Sequence, residues 1–174
     1  YILKTTWYCG YKLTIDDGAL IPRSSIGTML EDYFEMFDSS ESREILDLGT
    51  GSGSLAVVFA HAFPNARVLA TDLYPAALTI ARSNVQDHGL EPQVTVRESD
   101  LFQSIDNKEF DWILCNPPYV SEDFKEVMSR EGSFEPETSL FGGESGFQMI
   151  IPLLQQGHQY LRDAGKLFVE MGDI

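Results

Sequence analysis

From Glu44 onward the chain alternates short apolar runs with stretches of helical spacing, and this alternation constrains the fold more than any other feature. Glu44–Leu48, Ala66–Thr71, Val94–Arg97, Phe110–Cys115 and Lys166–Met171 have the length and composition of strands in a sheet. Leu55–Phe63, Pro75–His88 and Gly146–Leu161 are expected to be helices, the second opening on a proline and closing just before Gly89. Strands alternating with helices predict an α/β fold, a mostly parallel sheet with helices on both faces. In such a sheet, ligands bind outside the carboxyl ends of the strands.

The region ahead of Glu44 reads differently. Tyr11–Ile15 alternates like a short strand and Asp16-Asp17-Gly18 signals a turn. Ile26, Met29, Leu30, Tyr33, Phe34 and Phe37 then recur at helical intervals, which predicts an amphipathic helix capped by Ser24 or Ser25.

The net charge of −15, with no cluster of lysines and arginines, argues against direct nucleic-acid binding, which draws most of its affinity from neutralising phosphates. It suits steering of a basic protein partner, or solubility alone. No apolar run reaches membrane-spanning length and the opening lacks a secretory pattern, so no membrane association and a cytoplasmic setting are expected. Cys9 and Cys115 are too few for a disulfide framework, and His61, His88 and His158 are scattered, each expected to be solvated or capping. No metal site is expected.

Asp47-Leu48-Gly49-Thr50-Gly51-Ser52-Gly53 occupies the turn from the first of these strands into its helix. Glycines there permit a sharp turn and close approach of a ligand. Asp72 stands at the end of the next strand, where an acid accepts the hydroxyls of a nucleoside ribose. A pyrophosphate-binding loop prefers G-x-G-x-x-G, so a nicotinamide cofactor is disfavoured. The D-x-G-x-G-x-G spacing resembles the first motif of class I S-adenosylmethionine-dependent methyltransferases, which have a Rossmann-like fold. The resemblance implies that Asp47, Gly49, Thr50, Gly51 and Gly53 wrap the methionine portion of S-adenosyl-L-methionine. It also implies that Asp72 and Leu73 meet the ribose, that Asp100 and Leu101 in Ser99-Asp100-Leu101-Phe102 meet the adenine, and that S-adenosyl-L-homocysteine is the product. Phe102 itself is expected in the core.

Asn116-Pro117-Pro118-Tyr119 ends the fourth strand in a stiff corner, because neither proline donates to a ladder and each holds its predecessor extended. The corner resembles the motif of enzymes that methylate planar nitrogens, the amines of adenine or guanine and the amide of glutamine. Their chemistry needs two acceptors, here the Asn116 side-chain oxygen and the Pro117 carbonyl, to orient a nitrogen whose lone pair is delocalised. Asn116 would border the cofactor as well as the substrate, with Pro118 part of the corner and Tyr119 stacked on the planar group or near the sulfonium.

The flanks narrow the acceptor. Leu20-Ile21-Pro22-Arg23, Phe134-Glu135-Pro136 and Leu140-Phe141-Gly142-Gly143-Glu144-Ser145-Gly146 resemble the protein-(glutamine-N5) methyltransferases, whose substrates are a ribosomal protein or the Gly-Gly-Gln motif of peptide release factors. Trp7-Tyr8-Cys9-Gly10 and Pro22-Arg23-Ser24-Ser25-Ile26-Gly27 are most similar to the branch acting on ribosomal protein L3. Arg23 is expected to close the cofactor pocket or pair with an acid, and Glu135 to shape the glutamine pocket or cap a turn.

On this resemblance residues 1–40 lead into a catalytic domain spanning residues 41–174. The family sheet has seven strands and the chain supplies about five, so it is expected either to self-associate through an exposed sheet edge or to be only part of the natural protein. An amino-methyltransferase for nucleic-acid bases and an inactive cofactor-binding fragment are the alternatives.

Overall fold

A computed structural model describes residues 3–106, 109–125 and 135–172. The expected Phe134 contribution therefore lies outside the described residues, as do Asp173 and Ile174.

Five strands, β3 (Glu44–Leu48), β4 (Arg67–Asp72), β5 (Val94–Glu98), β6 (Phe110–Cys115) and β7 (Leu161–Val169), form one parallel sheet in the order β5-β4-β3-β6-β7. The order reverses between β3 and β6, where Leu48 pairs with Cys115. Gly49 and Asn116 therefore leave neighbouring strands at the same level, at the switch point where open α/β sheets bind ligands.

Alternation along the strands divides the core in two. Ile45, Val68, Ala70, Trp112 and Leu114 point to one face, under α2 (Ser54–Ala62), which is apolar almost all round. Leu46, Leu48, Leu69, Ile113 and Cys115 point to the other, against Phe102, Ile105 and Leu153. The first face also receives a hairpin of β1 (Thr5–Tyr8) and β2 (Tyr11–Thr14), together with α1 (Ser25–Tyr33). The hairpin turns on Cys9 and Gly10, both at positive φ (46° and 77°), as a tight two-residue turn requires.

Helix α3 (Pro75–Asp87) lies close to its expected bounds, but three expectations need correction. The helix expected over Gly146–Leu161 is α5 (Ile150–Gln156), followed by a 3₁₀ turn at Gly157–Gln159 and then β7 from Leu161. Leu161 is drawn into the sheet by pairing with Phe110, and residues 162–165 bulge out before Lys166 meets Trp112. The first amphipathic face stops early: α1, capped by the Ser24 hydroxyl, gives way to a 3₁₀ turn at Phe34–Met36, leaving Tyr33 and Phe34 exposed while Phe37 packs on Trp112 and Phe63. His61 and His88 are not scattered. Their rings meet at 3.2 Å (Nε2 to Nδ1), and Tyr11 stacks on His61 at 4.5 Å.

Both cysteines are free thiols, Cys115 buried under the sheet. Among the described residues no helix is long and apolar enough to cross a membrane, and no group of three or more His, Cys, Asp or Glu side chains is placed to hold a metal. β7 is an outer strand of the sheet, and no described strand pairs with its free side.

Candidate active site

A cavity of about 530 Å³ opens at the switch point. Its floor is the glycine loop, in which Gly49, Gly51 and Gly53 all hold positive φ (71°, 57° and 79°). A Cβ on Gly51 would meet nothing within 4 Å, so the loop backbone is open to a ligand there, whereas Gly53 backs onto Ala81 of α3 at 3.1 Å. Gly53 thus serves helix packing and does not line the cavity.

Beneath the loop, Asp47 is buried, and one of its oxygens accepts from both the Thr50 hydroxyl (2.5 Å) and the Ala56 N–H (3.1 Å). Burial pushes its pKa up to about 7, against the pull of those two donors. Asp72 forms the adjoining wall. One oxygen accepts from the Gly51 N–H (2.9 Å), the other from the Tyr74 N–H (3.0 Å). Burial raises its pKa too, and the backbone donors oppose the rise. Each carboxylate oxygen has capacity for further donors, as a ribose would supply.

The third wall is the turn after β5. The Ser99 hydroxyl donates to the Leu101 carbonyl (2.7 Å) and accepts from the Ser104 N–H (3.1 Å), holding Leu101 at a φ of 48°. Asp100 and Leu101 line the cavity, while Phe102 is buried and stacks on Tyr160 at 4.3 Å.

Opposite stands the proline corner. Asn116 and Pro118 line the cavity, Pro117 is buried, and Tyr119 faces a separate hollow of about 210 Å³ with Phe124, Phe147 and Met171. The corner is braced from behind by the glycine-rich segment after α4 (Glu137–Leu140). Val120 N–H donates to the Leu140 carbonyl and Gly142 N–H to the Val120 carbonyl, both at 2.9 Å. A Cβ on Gly142 would lie 2.5 Å from the Pro118 carbonyl oxygen, so only glycine lets the two backbones approach this closely.

Leu20 to Ser24 cross the cavity mouth as a strap. Arg23 forms a bidentate pair with the buried Glu135 (2.5 and 2.7 Å), which also accepts from the Ile21 N–H at 3.4 Å. Of the residues singled out in the sequence, Arg23, Asp47, Gly49, Thr50, Gly51, Asp72, Leu73, Asp100, Leu101, Asn116 and Pro118 surround one cavity. Gly53, Pro117, Tyr119 and Glu135 support it from outside.

Residues 26–131, more than half the chain, match the methyltransferase small domain. The chain belongs to this methyltransferase family. It is 33% identical over 175 residues to the ribosomal protein uL3 glutamine methyltransferase of Francisella tularensis subsp. tularensis, a match covering 99% of this chain and 56% of that protein. It is 33% identical over 182 residues to the protein of the same name from Burkholderia pseudomallei, covering 99% and 59%. The chain thus spans little more than half the length of these curated relatives.

Solved structures agree on the fold. The hMettl16 catalytic domain, in complex with the MAT2A 3′UTR hairpin 1, aligns with TM-score 0.64 at 20% identity, over 84% of this chain and 56% of that one. A methyltransferase from Pyrococcus furiosus gives 0.61 at 20%, over 93% and 71%. A SAM-dependent methyltransferase from Geobacter sulfurreducens, in complex with S-adenosyl-L-homocysteine, gives 0.53 at 16%, over 82% and 46%. The sheet is that of the Rossmann-like class I methyltransferases.

Within this methyltransferase framework two residues escape sequence reading. Asn84, fully buried on α3, donates to the carbonyls of Ser52 (2.8 Å) and Thr14 (2.9 Å) and accepts from the Thr14 N–H (2.7 Å). Glu170, just past β7, accepts from the Ser24 hydroxyl, the Ser25 N–H and the Ser25 hydroxyl on one oxygen. A polar residue amid the apolar positions of α3 was the available signal for Asn84; Glu170 carried none.

Proposed function

We propose that the chain is the catalytic part of a SAM-dependent enzyme that methylates the side-chain amide of a glutamine in a translation protein, with ribosomal protein uL3 as the substrate. The observation that carries this reading is the placement of Asn116 beside Gly49 at the reversal of strand order, across one cavity from Asp72. Asn116 lines the same cavity as the glycine loop that would hold a methyl donor, and the stiff proline corner follows it directly.

The cavity fits the cofactor. Gly51 leaves its backbone uncovered, Asp72 offers acceptor capacity for ribose hydroxyls, and Asp100 with Leu101 offers an acceptor and an apolar surface for adenine. When bound, S-adenosyl-L-methionine supplies a methyl carbon on a sulfonium sulfur and leaves as S-adenosyl-L-homocysteine.

The chain's own residues then orient the acceptor. The Asn116 side-chain oxygen and the Pro117 carbonyl accept the two N–H groups of the glutamine amide, aiming its nitrogen and favouring the positive charge it gains as the new carbon–nitrogen bond forms. One amide proton is afterwards lost to solvent. Tyr119, on the far side of the corner, is assigned to the substrate side rather than to the sulfonium. Arg23 and Glu135 hold the strap over the cofactor. Residues 1–40 are read as the lead-in and residues 41–174 as the catalytic domain, working in the cytoplasm without a metal. The outer edge of β7 is assigned to self-association, read by sedimentation velocity.

The deciding experiment incubates the protein with uL3 and S-adenosyl-L-methionine and seeks one added methyl on a glutamine by mass spectrometry, with a release factor as comparison. Asn116→Ala is expected to lower transfer about 100- to 1,000-fold. Undiminished transfer by that variant would overturn the mechanism, and methylation of the release factor alone would overturn the substrate.

A further inference from the structure

Glu170 lies outside the cavity, yet its hydrogen bonds join three parts of the site. Its own N–H donates to the carbonyl of Cys115 (3.0 Å), the residue before Asn116. One side-chain oxygen gathers the Ser24 hydroxyl (2.7 Å), the Ser25 N–H (2.7 Å) and the Ser25 hydroxyl (3.0 Å), which fastens the end of the strap where α1 begins. The same side chain hydrogen-bonds the Tyr119 hydroxyl, which also feels the charge of Arg23. Burial and Glu170 raise the pKa of that hydroxyl, and Arg23 lowers it.

We infer that Glu170 is a positioning residue, which sets the strap and Tyr119 in register with Asn116. The inference rests on the glutamine-methyltransferase reading for the role of Tyr119, but not for the strap. Three donors converging on one oxygen at the end of a strand place the strap without Glu170 touching cofactor or substrate. The strap is thereby held at two points, by Glu135 through Arg23 and by Glu170 through Ser24 and Ser25. Losing the second point lets Leu20 to Ser24 swing away from the cavity and lets the Tyr119 ring turn.

The test compares the wild-type protein with Glu170→Ala, Glu170→Gln and Tyr119→Phe, reading S-adenosyl-L-homocysteine affinity by calorimetry and glutamine methylation by steady-state kinetics. Glu170→Ala is expected to weaken S-adenosyl-L-homocysteine about five- to tenfold and to lower kcat about 20- to 100-fold with KM changed less than about threefold. Glu170→Gln, whose amide oxygen still accepts from Ser25, should recover both to within about threefold. Tyr119→Phe should lose nothing further in the Glu170→Ala background, because the ring is already released. If Glu170→Ala does not fold, Glu170→Asp serves instead, since it keeps the charge but draws it back by one methylene and should shift both readings in the same direction. Unchanged affinity and kcat in the folded variants would overturn the inference, as would a glutamine variant no better than alanine or additive losses with Tyr119→Phe. If the wild type binds S-adenosyl-L-homocysteine but methylates no glutamine, the proposed reaction falls while the affinity comparison still decides the role of Glu170.

Discussion

Arg23 and Glu135, 112 residues apart in sequence, meet as a two-pronged ion pair at the mouth of the cavity, with the carboxylate buried and the guanidinium half in solvent. The pairing is lopsided, so the two single substitutions are not equivalent. Arg23→Ala strands a buried charge and should destabilise the fold by about 1–3 kcal/mol, less than a fully buried pair because solvent screens the arginine. Arg23→Ala/Glu135→Ala should regain part of that loss. Urea unfolding of the single and double variants checks it.

Asp72, proposed above to meet the ribose, lines the cavity and also holds the Gly51 N–H. Asp72→Ala should weaken S-adenosyl-L-homocysteine binding about 10- to 100-fold, the value of one or two charge-assisted hydrogen bonds. Calorimetric titration measures this directly.

Asp47 makes stability depend on pH. Its folded pKa of about 7 lies above the usual 3.8, so the folded state keeps a proton that the unfolded chain releases. Stability from this group is therefore full below the unfolded value and is lost as pH rises toward 7, on the order of 3 kcal/mol across the interval. Asp47→Asn keeps a single oxygen for Thr50 and Ala56 and should abolish this dependence. Thermal or urea unfolding from pH 4 to 8 compares the two.

Gly142 and Gly89 separate contact from conformation. Gly142→Ala drives a methyl against the Pro118 carbonyl and should cost about 1–3 kcal/mol while displacing the corner and lowering methyl transfer. Gly89→Ala has open space and only a positive φ to contend with, so its cost should be about 1 kcal/mol with activity retained. Paired unfolding and activity measurements distinguish them.

Much of the sheet was legible because a strand's apolar run and the glycines or prolines that end it are local signals. β3 and β6 begin and end where expected for that reason. The helix after Gly146 is shorter than its pattern suggests because Leu153, Gly157 and Leu161 keep helical spacing, and nothing local records that Leu161 pairs with Phe110 in the sheet. The cavity's acids and glycines were visible as a spaced pattern. Glu170 was not, since its partners lie 145 and 146 residues away.

Asn84 gives the N-terminal hairpin a standing that its distance from the cavity conceals. One side chain answers both backbone groups of Thr14 on β2 and, with its remaining donor, the Ser52 carbonyl of the glycine loop. Peeling the hairpin away would remove two of those three polar contacts and uncover the Asn84 side chain, and the loop would inherit the slack. The hairpin acts as a keystone, so even a conservative trimming ahead of residue 15 should be felt first as a loss of cofactor affinity.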